Sequence, residues 1–267
     1  MDKTDRISSS AIAGIEWLLG LQNRDGGVPT FCQGWGALPF DKSSTDLTAH
    51  AIRAFQAWRK NGGLAPSGAL PGALPGAPSN APSDALPDVP SVLPSDIPPE
   101  LLKKMERAEE RMFSFLERAQ QKDGSWLPLW FGNQFVPDDA NPCYGTAKVL
   151  LAFAETKRES RAAQEGLRYL IGCQNEDGGW GREASGVASS VEETAVVVEV
   201  LSAFADRAEV TAAYHRGLNW LLEAVESDRF TQASPIGLYF AKLWYYEDLY
   251  PVIFTATALR RALMRED

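Results

Sequence analysis

The chain has 267 residues, of which 45% are hydrophobic, and it carries a formal net charge of −9. This is the composition of a globular protein with enough apolar residues for a sizeable core. The acidic balance argues against nucleic acid as a partner, because binding to a phosphate backbone depends on clustered Lys and Arg residues. No apolar run approaches the roughly 18 residues that a membrane span needs, and the charged N-terminus does not resemble a signal peptide.

The three cysteines, Cys32, Cys143 and Cys173, are widely separated, odd in number and outside any CxxC spacing. This arrangement argues against both a disulfide scaffold and a zinc site, so we expect no metal and no cofactor. A reducing, cytoplasmic location follows as an expectation. The composition leaves a peripheral membrane contact open.

The first predicted helix begins after Ser8–Ser10, carries apolar residues from Ile12 at near-helical spacing, and ends at Asp25-Gly26-Gly27. A second helix is predicted from 43–46 to Trp58. The two helices form a predicted αα hairpin.

Between about residues 62 and 99 the composition changes to Ala, Pro, Gly, Ser and Leu. Prolines at this density exclude the interior of a helix and favour extended, solvated backbone. Because similar repeats lie on both sides, we interpret the segment as a flexible surface insertion within one domain that spans residues 1–267. A linker between two domains is the alternative.

Helical patterns resume after the insertion, and no alternation typical of strands competes with them. Ser190 and Glu193 have the spacing of a capping box. The sequence therefore predicts an all-α fold of about four helical hairpins. The predicted helices cover residues 101–121, 144–157, 164–174, 193–205 and 212–225, followed by an apolar, aromatic stretch at 237–262.

Three of the turns between predicted helices are variants of one phrase, at Gln22–Gly27, Gln121–Trp126 and Gln174–Trp180, and a degraded version follows at 226–230. A phrase that recurs at tens of residues indicates a repeat protein, in which each unit buries its apolar face against its neighbours. Glycine permits positive φ at the end of a helix, and Asp can accept hydrogen bonds from the next amides. We expect the Gln and Trp side chains to lock neighbouring turns together.

These turns resemble the QW repeats of the triterpene cyclases, squalene-hopene cyclase above all. Further blocks resemble the family in the same order along the chain. These blocks are Thr45–His50, Asp123–Trp126 with Trp130 and Tyr144–Thr146, Ser189–Ala195, and the aromatic segment 237–251.

The resemblance implies an α/α toroid of the terpenoid cyclase and protein prenyltransferase type, with a reaction cavity in its centre. In that family an aspartic acid of an Asp-x-Asp-Asp motif protonates a hydrophobic polyprene such as squalene, and the carbocation then closes rings. The implied activity is that of an intramolecular transferase, or isomerase, of triterpenoid or related isoprenoid metabolism. Aromatic faces must stabilise the cation without capturing it.

His50 matches the family's histidine that hydrogen-bonds the acid, and Asp46 matches the aspartate four residues earlier. Spacing of four places both on one helical face, so the Asp46 carboxylate could hold His50 in its charged form. In the alternative interpretation, Asp46 caps the helix and His50 packs on an interior face. The family's cavity aromatics match Trp130, Tyr144, Tyr239 and Tyr246, whose alternative role is ordinary core packing.

The sequence departs from the family pattern in two main respects. It contains no Asp-x-Asp-Asp motif, and its paired Asp138 and Asp139 lie in a Pro-flanked loop that we interpret as solvated. Four hairpins also fall short of the six that the resemblance implies. In addition, Leu243 replaces a family aromatic and Val28 stands where the first turn would carry Trp.

Three functions remain open from the sequence. The chain could form part of a cyclase whose companion chain carries the acidic motif, or it could be a noncatalytic module that binds isoprenoids or proteins. A subunit like the β-chain of protein prenyltransferases is the third, but it requires zinc ligands, and the cysteines with His50 and His215 show no convincing ligand spacing.

Overall fold

The computed structural model describes residues 3–33, 38–61, 97–133, 135–136, 139–181, 188–238 and 243–266. These ranges contain eight α-helices, which confirms the all-α class. The helices are α1 (Lys3–Leu21), α2 (Thr45–Asn61), α3 (Pro99–Ala119), α4 (Pro142–Glu155), α5 (Arg161–Gly172), α6 (Val191–Ser202), α7 (Ala208–Glu226) and α8 (Leu249–Glu266). None of the described helices is long and apolar enough to cross a membrane.

The helices form two concentric layers. In the inner layer α2 contacts α4, α4 contacts α6, and α6 contacts α8. In the outer layer α3, α5 and α7 pack on α2, α4 and α6 in turn, while α1 packs against α3. Helices α4 and α6 are buried along nearly their whole length, whereas α3 and α5 bury one face only. The described residues thus form an arc of an α/α toroid.

The tryptophans of the turns are central to the packing between hairpins. Trp126 and Trp180 are fully buried, and their indole N–H groups donate to the carbonyls of Leu116 and Leu170 at 2.6 and 2.8 Å. Each indole lies against a glycine of the next outer helix, so a Cβ on Gly166 would lie 2.6 Å from the Trp126 ring. A side chain at that position would therefore displace the turn from the helix.

A glutamine in each of the first three turns joins successive repeats. The side-chain amide donates both to the carbonyl of the turn glycine and to a carbonyl of the next outer helix, at 2.8–2.9 Å. The residues are Gln22 (to Gly26 and Ala108), Gln120 (to Gly124 and Ala162) and Gln174 (to Gly178 and Ala213). The prediction of Gln121 for the second turn was wrong by one residue. Its exposed amide donates to Ala119, because the equivalent glutamine stands three residues before Asp123.

The turn aspartates and glycines behave as predicted. Asp25, Asp123 and Asp177 each accept a hydrogen bond at 3.0 Å from the backbone amide two residues later. Gly26, which has φ of 97°, and its two equivalents adopt the left-handed region that glycine favours. In the degraded fourth turn Asp228 takes this conformation instead, with φ of 57°.

Two short antiparallel pairs were not predicted. β1 (Val28–Pro29) pairs with β2 (Ser43–Ser44), and β3 (Pro235–Leu238) pairs with β4 (Leu243–Tyr246). The prediction that the chain contains no strands was wrong for the C-terminal aromatic stretch, which contains β4 and part of β3. Pro235 and Gly237 at the start of β3 disfavour a helix, and the aromatic residues of β4 suit a strand, so only the part from Leu249 onward is helical.

The Pro-rich segment at 62–99 lies almost entirely outside the described residues, so the single-domain assignment stays a prediction. Its flanks are described. Helix α2 ends at Asn61, α3 begins at Pro99, and the two helices pack against each other. Proline is favourable at the first position of a helix.

Candidate functional site

Three inner helices each carry an equivalent threonine near their start, and these threonines align the three repeats with one another. The hydroxyls of Thr48, Thr146 and Thr194 accept hydrogen bonds at 2.9 Å from the backbone amides of Val28, Trp126 and Trp180. Val28 therefore occupies the place of the missing tryptophan, as the sequence predicted.

The residues two positions after these threonines, His50, Lys148 and Val196, occupy the same place in successive repeats. Lys148 lies over the Phe254 ring of the inner helix α8, so the side chain at this repeat position faces another inner helix. His50 lies on α2, the first inner helix among the described residues, and its side chain is exposed. The histidine thus stands on the inner wall at the end of the arc.

Asp46 does not act on His50 as predicted. Its buried carboxylate accepts hydrogen bonds from the Ser44 hydroxyl and from backbone amides that include Leu47 and Leu129. Burial raises the pKa of Asp46 above its ordinary value. Within the described part of the chain no hydrogen bond or ion pair joins Asp46 to His50. The contacts of Asp46 agree with the alternative interpretation, in which this residue stabilises the start of α2.

His50 is neutral near pH 7. The surrounding protein desolvates the imidazole, and the positive charges of Lys148 and Arg53 act in the same direction, so the pKa falls from 6.5 to about 4. The negative charge of Glu155 opposes this shift only partly. This lowered pKa argues against a charged His50, and its main cause is desolvation, to which the positive charges on α2 and α4 add.

Trp130 and Tyr144, two of the predicted cavity aromatics, are both buried, at 8% and 5% exposure. The Trp130 indole donates to the Thr30 hydroxyl, which joins the loop before α4 to the first repeat. Tyr144 stacks on Phe131, with ring centroids 4.4 Å apart. Of the other two, Tyr239 lies outside the described residues and Tyr246 lies in β4. A role of these four residues in substrate binding stays a prediction.

A lysine surrounded by aromatic rings lies on the inner wall, and the sequence did not predict it. We call Lys148, with the rings of Tyr144 on α4 and Phe254 on α8, the cation site. The Lys148 ammonium lies 5.2 Å from the centroid of the Tyr144 ring and 4.8 Å from that of Phe254. Phe254 in turn stacks on Tyr250 at 5.3 Å. Burial lowers the pKa of Lys148. The cluster formed by Phe131, Tyr144, Tyr250 and Phe254 can thus stabilise a positive charge through its ring faces, and Lys148 supplies one. Lys148 stands two residues after Thr146, as His50 stands two residues after Thr48. This shared repeat position is the sequence signal from which Lys148 could have been predicted.

A network of charges crosses the inner layer one to two turns beyond His50. The Glu155 carboxylate accepts two hydrogen bonds from Arg53, at 2.9 and 3.0 Å, and one from Arg261 at 2.6 Å. Arg261 also pairs with the buried Glu199 at 3.0 Å. These contacts join α2, α4, α6 and α8. A cavity of about 630 Å³ lies beside them, and its walls include Arg53, Glu199, Arg260, Arg261, Met264 and Arg265.

The start of α6 is fixed by two buried glutamates. Ser190 accepts a hydrogen bond from the Glu193 amide at 3.1 Å, which confirms the first half of the predicted capping box, whereas the Ser190 amide donates to the Trp180 carbonyl at 2.9 Å and not to the Glu193 carboxylate. Glu192 accepts from the Ser234 amide at 2.6 Å and from its hydroxyl at 2.7 Å, and burial raises the pKa of Glu192. Glu192 therefore ties the segment that leads into β3 to the inner layer.

Metal ligation has no support within the residues that the structure describes, where no group of three or more His, Cys, Asp or Glu side chains could hold an ion. Of the paired aspartates, Asp139 lies in a turn with φ of 56° and its carbonyl accepts from the Asn133 amide at 3.2 Å. Asp138 lies outside the described residues.

Comparison with known proteins matches residues 100–263 to the model of the squalene-hopene cyclase C-terminal domain. The chain belongs to this family. It is 28% identical over 297 aligned positions to a terpene cyclase–glycosyl transferase fusion protein of Humicola fuscoatra, covering 98% of this chain and 19% of that protein. It is 34% identical over 152 positions to an ent-copalyl diphosphate synthase of Streptomyces sp. strain KO-3988, covering 55% and 25%.

A further relative is similar to this chain in sequence, and a solved structure is similar to it in fold. Squalene–hopene cyclase of Zymomonas mobilis is 25% identical, with 83% of this chain and 30% of that protein covered. The fold matches that of ent-copalyl diphosphate synthase from Streptomyces platensis with a TM-score of 0.58 and 20% identity, over 93% of this chain and 37% of that one. The chain therefore spans between a fifth and a third of the length of these curated relatives.

Proposed function

We propose that this terpene-cyclase-like chain supplies one part of a cyclase cavity, and that a companion chain supplies the acid that protonates the substrate. His50 carries this proposal, because it presents a neutral imidazole on the inner wall at the end of the arc. With a pKa of about 4 the imidazole is about as weak a base as an ordinary carboxylate, so it can accept a hydrogen bond from a protonated carboxyl group and takes up the proton less readily than a histidine of ordinary pKa.

The acid must come from elsewhere because this sequence contains no Asp-x-Asp-Asp motif. Asp46, the nearest carboxyl group along the helix, already accepts from Ser44 and backbone amides. The substrate class that we propose is a hydrophobic polyprene. Support comes from the relatives, whose names describe terpene cyclases, and from the aromatic faces of the inner wall.

The test is reconstitution. The chain is co-purified with a protein that bears the Asp-x-Asp-Asp motif, and the pair is incubated with squalene and shorter polyprenes, with products identified by mass spectrometry. We expect cyclised product from the pair only, and about 10- to 100-fold less from His50→Ala. His215→Ala is the matched control, since His215 is exposed on the outer helix α7. A stable pair that converts no polyprene would overturn the proposal.

A noncatalytic isoprenoid-binding or protein-interaction module is the second candidate, and Lys148 favours it. A charged ammonium over the Tyr144 and Phe254 rings would repel a carbocation in the same place. A module of this kind should bind an isoprenoid saturably without forming product, in a titration followed by intrinsic tryptophan fluorescence. Product formation by the isolated chain would exclude it.

We also propose a cytoplasmic protein with a peripheral membrane contact, through Phe31 and Leu38. These side chains are 67% and 50% exposed, and such residues insert readily into a lipid interface. In co-sedimentation with anionic vesicles, Phe31→Ser should reduce the bound fraction, whereas Leu222→Ser on the outer helix α7 should not. Equal binding of both variants and the parent would contradict the proposed contact.

A further inference from the structure

Two of the three cysteines, which are far apart in the sequence, meet between neighbouring hairpins. The Sγ atoms of Cys143 and Cys173 lie 3.7 Å apart. Cys143 is the second residue of the inner helix α4 and is only 1% exposed, whereas Cys173 caps the outer helix α5 and is partly exposed. Cys32, the third cysteine, is exposed.

We propose that Cys143 and Cys173 are a modification site, at which a peroxide or a low-molecular-weight disulfide converts the two thiols into a reversible intramolecular disulfide. The sulfur atoms are already in van der Waals contact, and a disulfide needs a separation of about 2 Å, so closure requires a shift of less than about 2 Å. Both residues sit at helix ends, where a small backbone adjustment disturbs few helical hydrogen bonds. The proposal does not rest on the proposed cyclase function.

The difference in exposure sets the order of the chemical steps. Peroxide reaches Cys173 first, where the thiolate attacks one oxygen, the O–O bond breaks, and a sulfenic acid and hydroxide form. The Cys143 thiolate then attacks the Cys173 sulfur and expels its hydroxyl group as hydroxide. Overall, two thiols and one hydrogen peroxide give one disulfide and two waters, and a thiol reductant reverses the step by exchange.

The disulfide would act on the wall of the candidate site. It would join the start of α4 to the end of α5, two helices of consecutive hairpins. Helix α4 carries Tyr144, directly after Cys143, and Lys148 one turn later. Oxidation would therefore fix the helix that holds the cation site. Because the bond closes the segment 143–173, it also restricts the unfolded chain and stabilises the fold.

The test uses the full chain with Cys32→Ser, which keeps the pair and removes the exposed thiol. After treatment with hydrogen peroxide, we expect a mass loss of two hydrogens, protection of both remaining thiols from iodoacetamide, and a 143–173 cross-link in non-reduced peptides. The melting temperature should rise by roughly 5 to 10 °C and return after dithiothreitol.

Cys173→Ser in the same background is the matched control, and it should show neither the mass change nor the rise in melting temperature. Cys143→Ala should instead leave Cys173 to oxidise to the sulfinic acid. In a further assay the folded protein is oxidised, then unfolded and treated with iodoacetamide. The proposal is wrong if Cys173 has been oxidised but Cys143 is still alkylated.

Discussion

Glu155 joins three inner helices, and its replacement by glutamine should loosen the wall on which His50 stands. The carboxylate receives two hydrogen bonds from Arg53 on α2 and one from Arg261 on α8. In Glu155→Gln the amide nitrogen would face guanidinium donors, and one arginine would lose its partner. The volume of the side chain hardly changes, so packing is preserved.

The magnitude follows from burial. The Arg53 and Glu155 side chains are each 23% exposed, and that of Arg261 is 30% exposed. Removing one partner of a fully buried pair costs about 3 to 5 kcal/mol, and an exposed pair contributes about 0 to 1 kcal/mol. We therefore expect Glu155→Gln to lower the free energy of unfolding by about 2 kcal/mol, or the melting temperature by roughly 4 to 8 °C.

Urea unfolding followed by circular dichroism measures this change. Glu110→Gln is the matched control: its partner Arg158 lies 2.7 Å away, but the Glu110 side chain is 67% exposed, so the loss should stay below about 1 kcal/mol. The arginines lower the pKa of Glu155 below its ordinary 4.5. The stabilisation is therefore complete above pH 4.5 and disappears as the pH falls through the lowered value. Equal losses for the two variants, or a difference that does not shrink as the pH is lowered from 4.5, would refute the reasoning.

Two further predictions concern the turns. Gln120→Ala should lower the free energy of unfolding by about 2 kcal/mol, because it leaves the carbonyls of Gly124 and Ala162 without their donor. Gln121→Ala should change it by less than about 0.5 kcal/mol. Equal losses for the two variants in urea unfolding would argue against Gln120 as the turn glutamine. Gly26→Ala should cost about 2 to 4 kcal/mol, since φ is 97° and a Cβ would lie 2.3 Å from the Arg111 carbonyl oxygen. Gly20→Ala, in α1 with open space around it, should instead be neutral or stabilising by up to about 1 kcal/mol in the same thermal melts.

The sequence predicted the hairpins because their signals are local. The turn glycines and aspartates impose the backbone conformation at each helix end, and the apolar periodicity places one helix on each side. The misplaced glutamine of the second turn shows the limit of this approach. Gln120 and Gln121 are identical in type, and Gln120 differs in standing three residues before the turn aspartate, a spacing whose meaning becomes clear from its hydrogen bonds to Gly124 and Ala162.

The site was less predictable because its charges come from different repeats. Asp46 and His50 are four residues apart on one helix, yet the charges that shift the pKa of His50 belong to Lys148, Arg53 and Glu155. A pattern within one helix could not show that α4 brings a lysine alongside. The repeat position of Lys148, two residues after Thr146, was visible in the sequence, but its meaning required the hydrogen bonds that align the threonines.

The protonation state of His50 is the central claim, since a neutral imidazole can accept a hydrogen bond from a protonated acid of a companion chain, whereas a charged imidazolium can only donate. Nuclear magnetic resonance of the histidine side chains across pH 3 to 8 measures it directly, and a His215→Asn variant assigns the signal because the chain has only two histidines. The expected result is titration of His50 near pH 4. Titration at pH 6.5 or above would show that His50 is charged or freely solvated, and would contradict the role proposed for it.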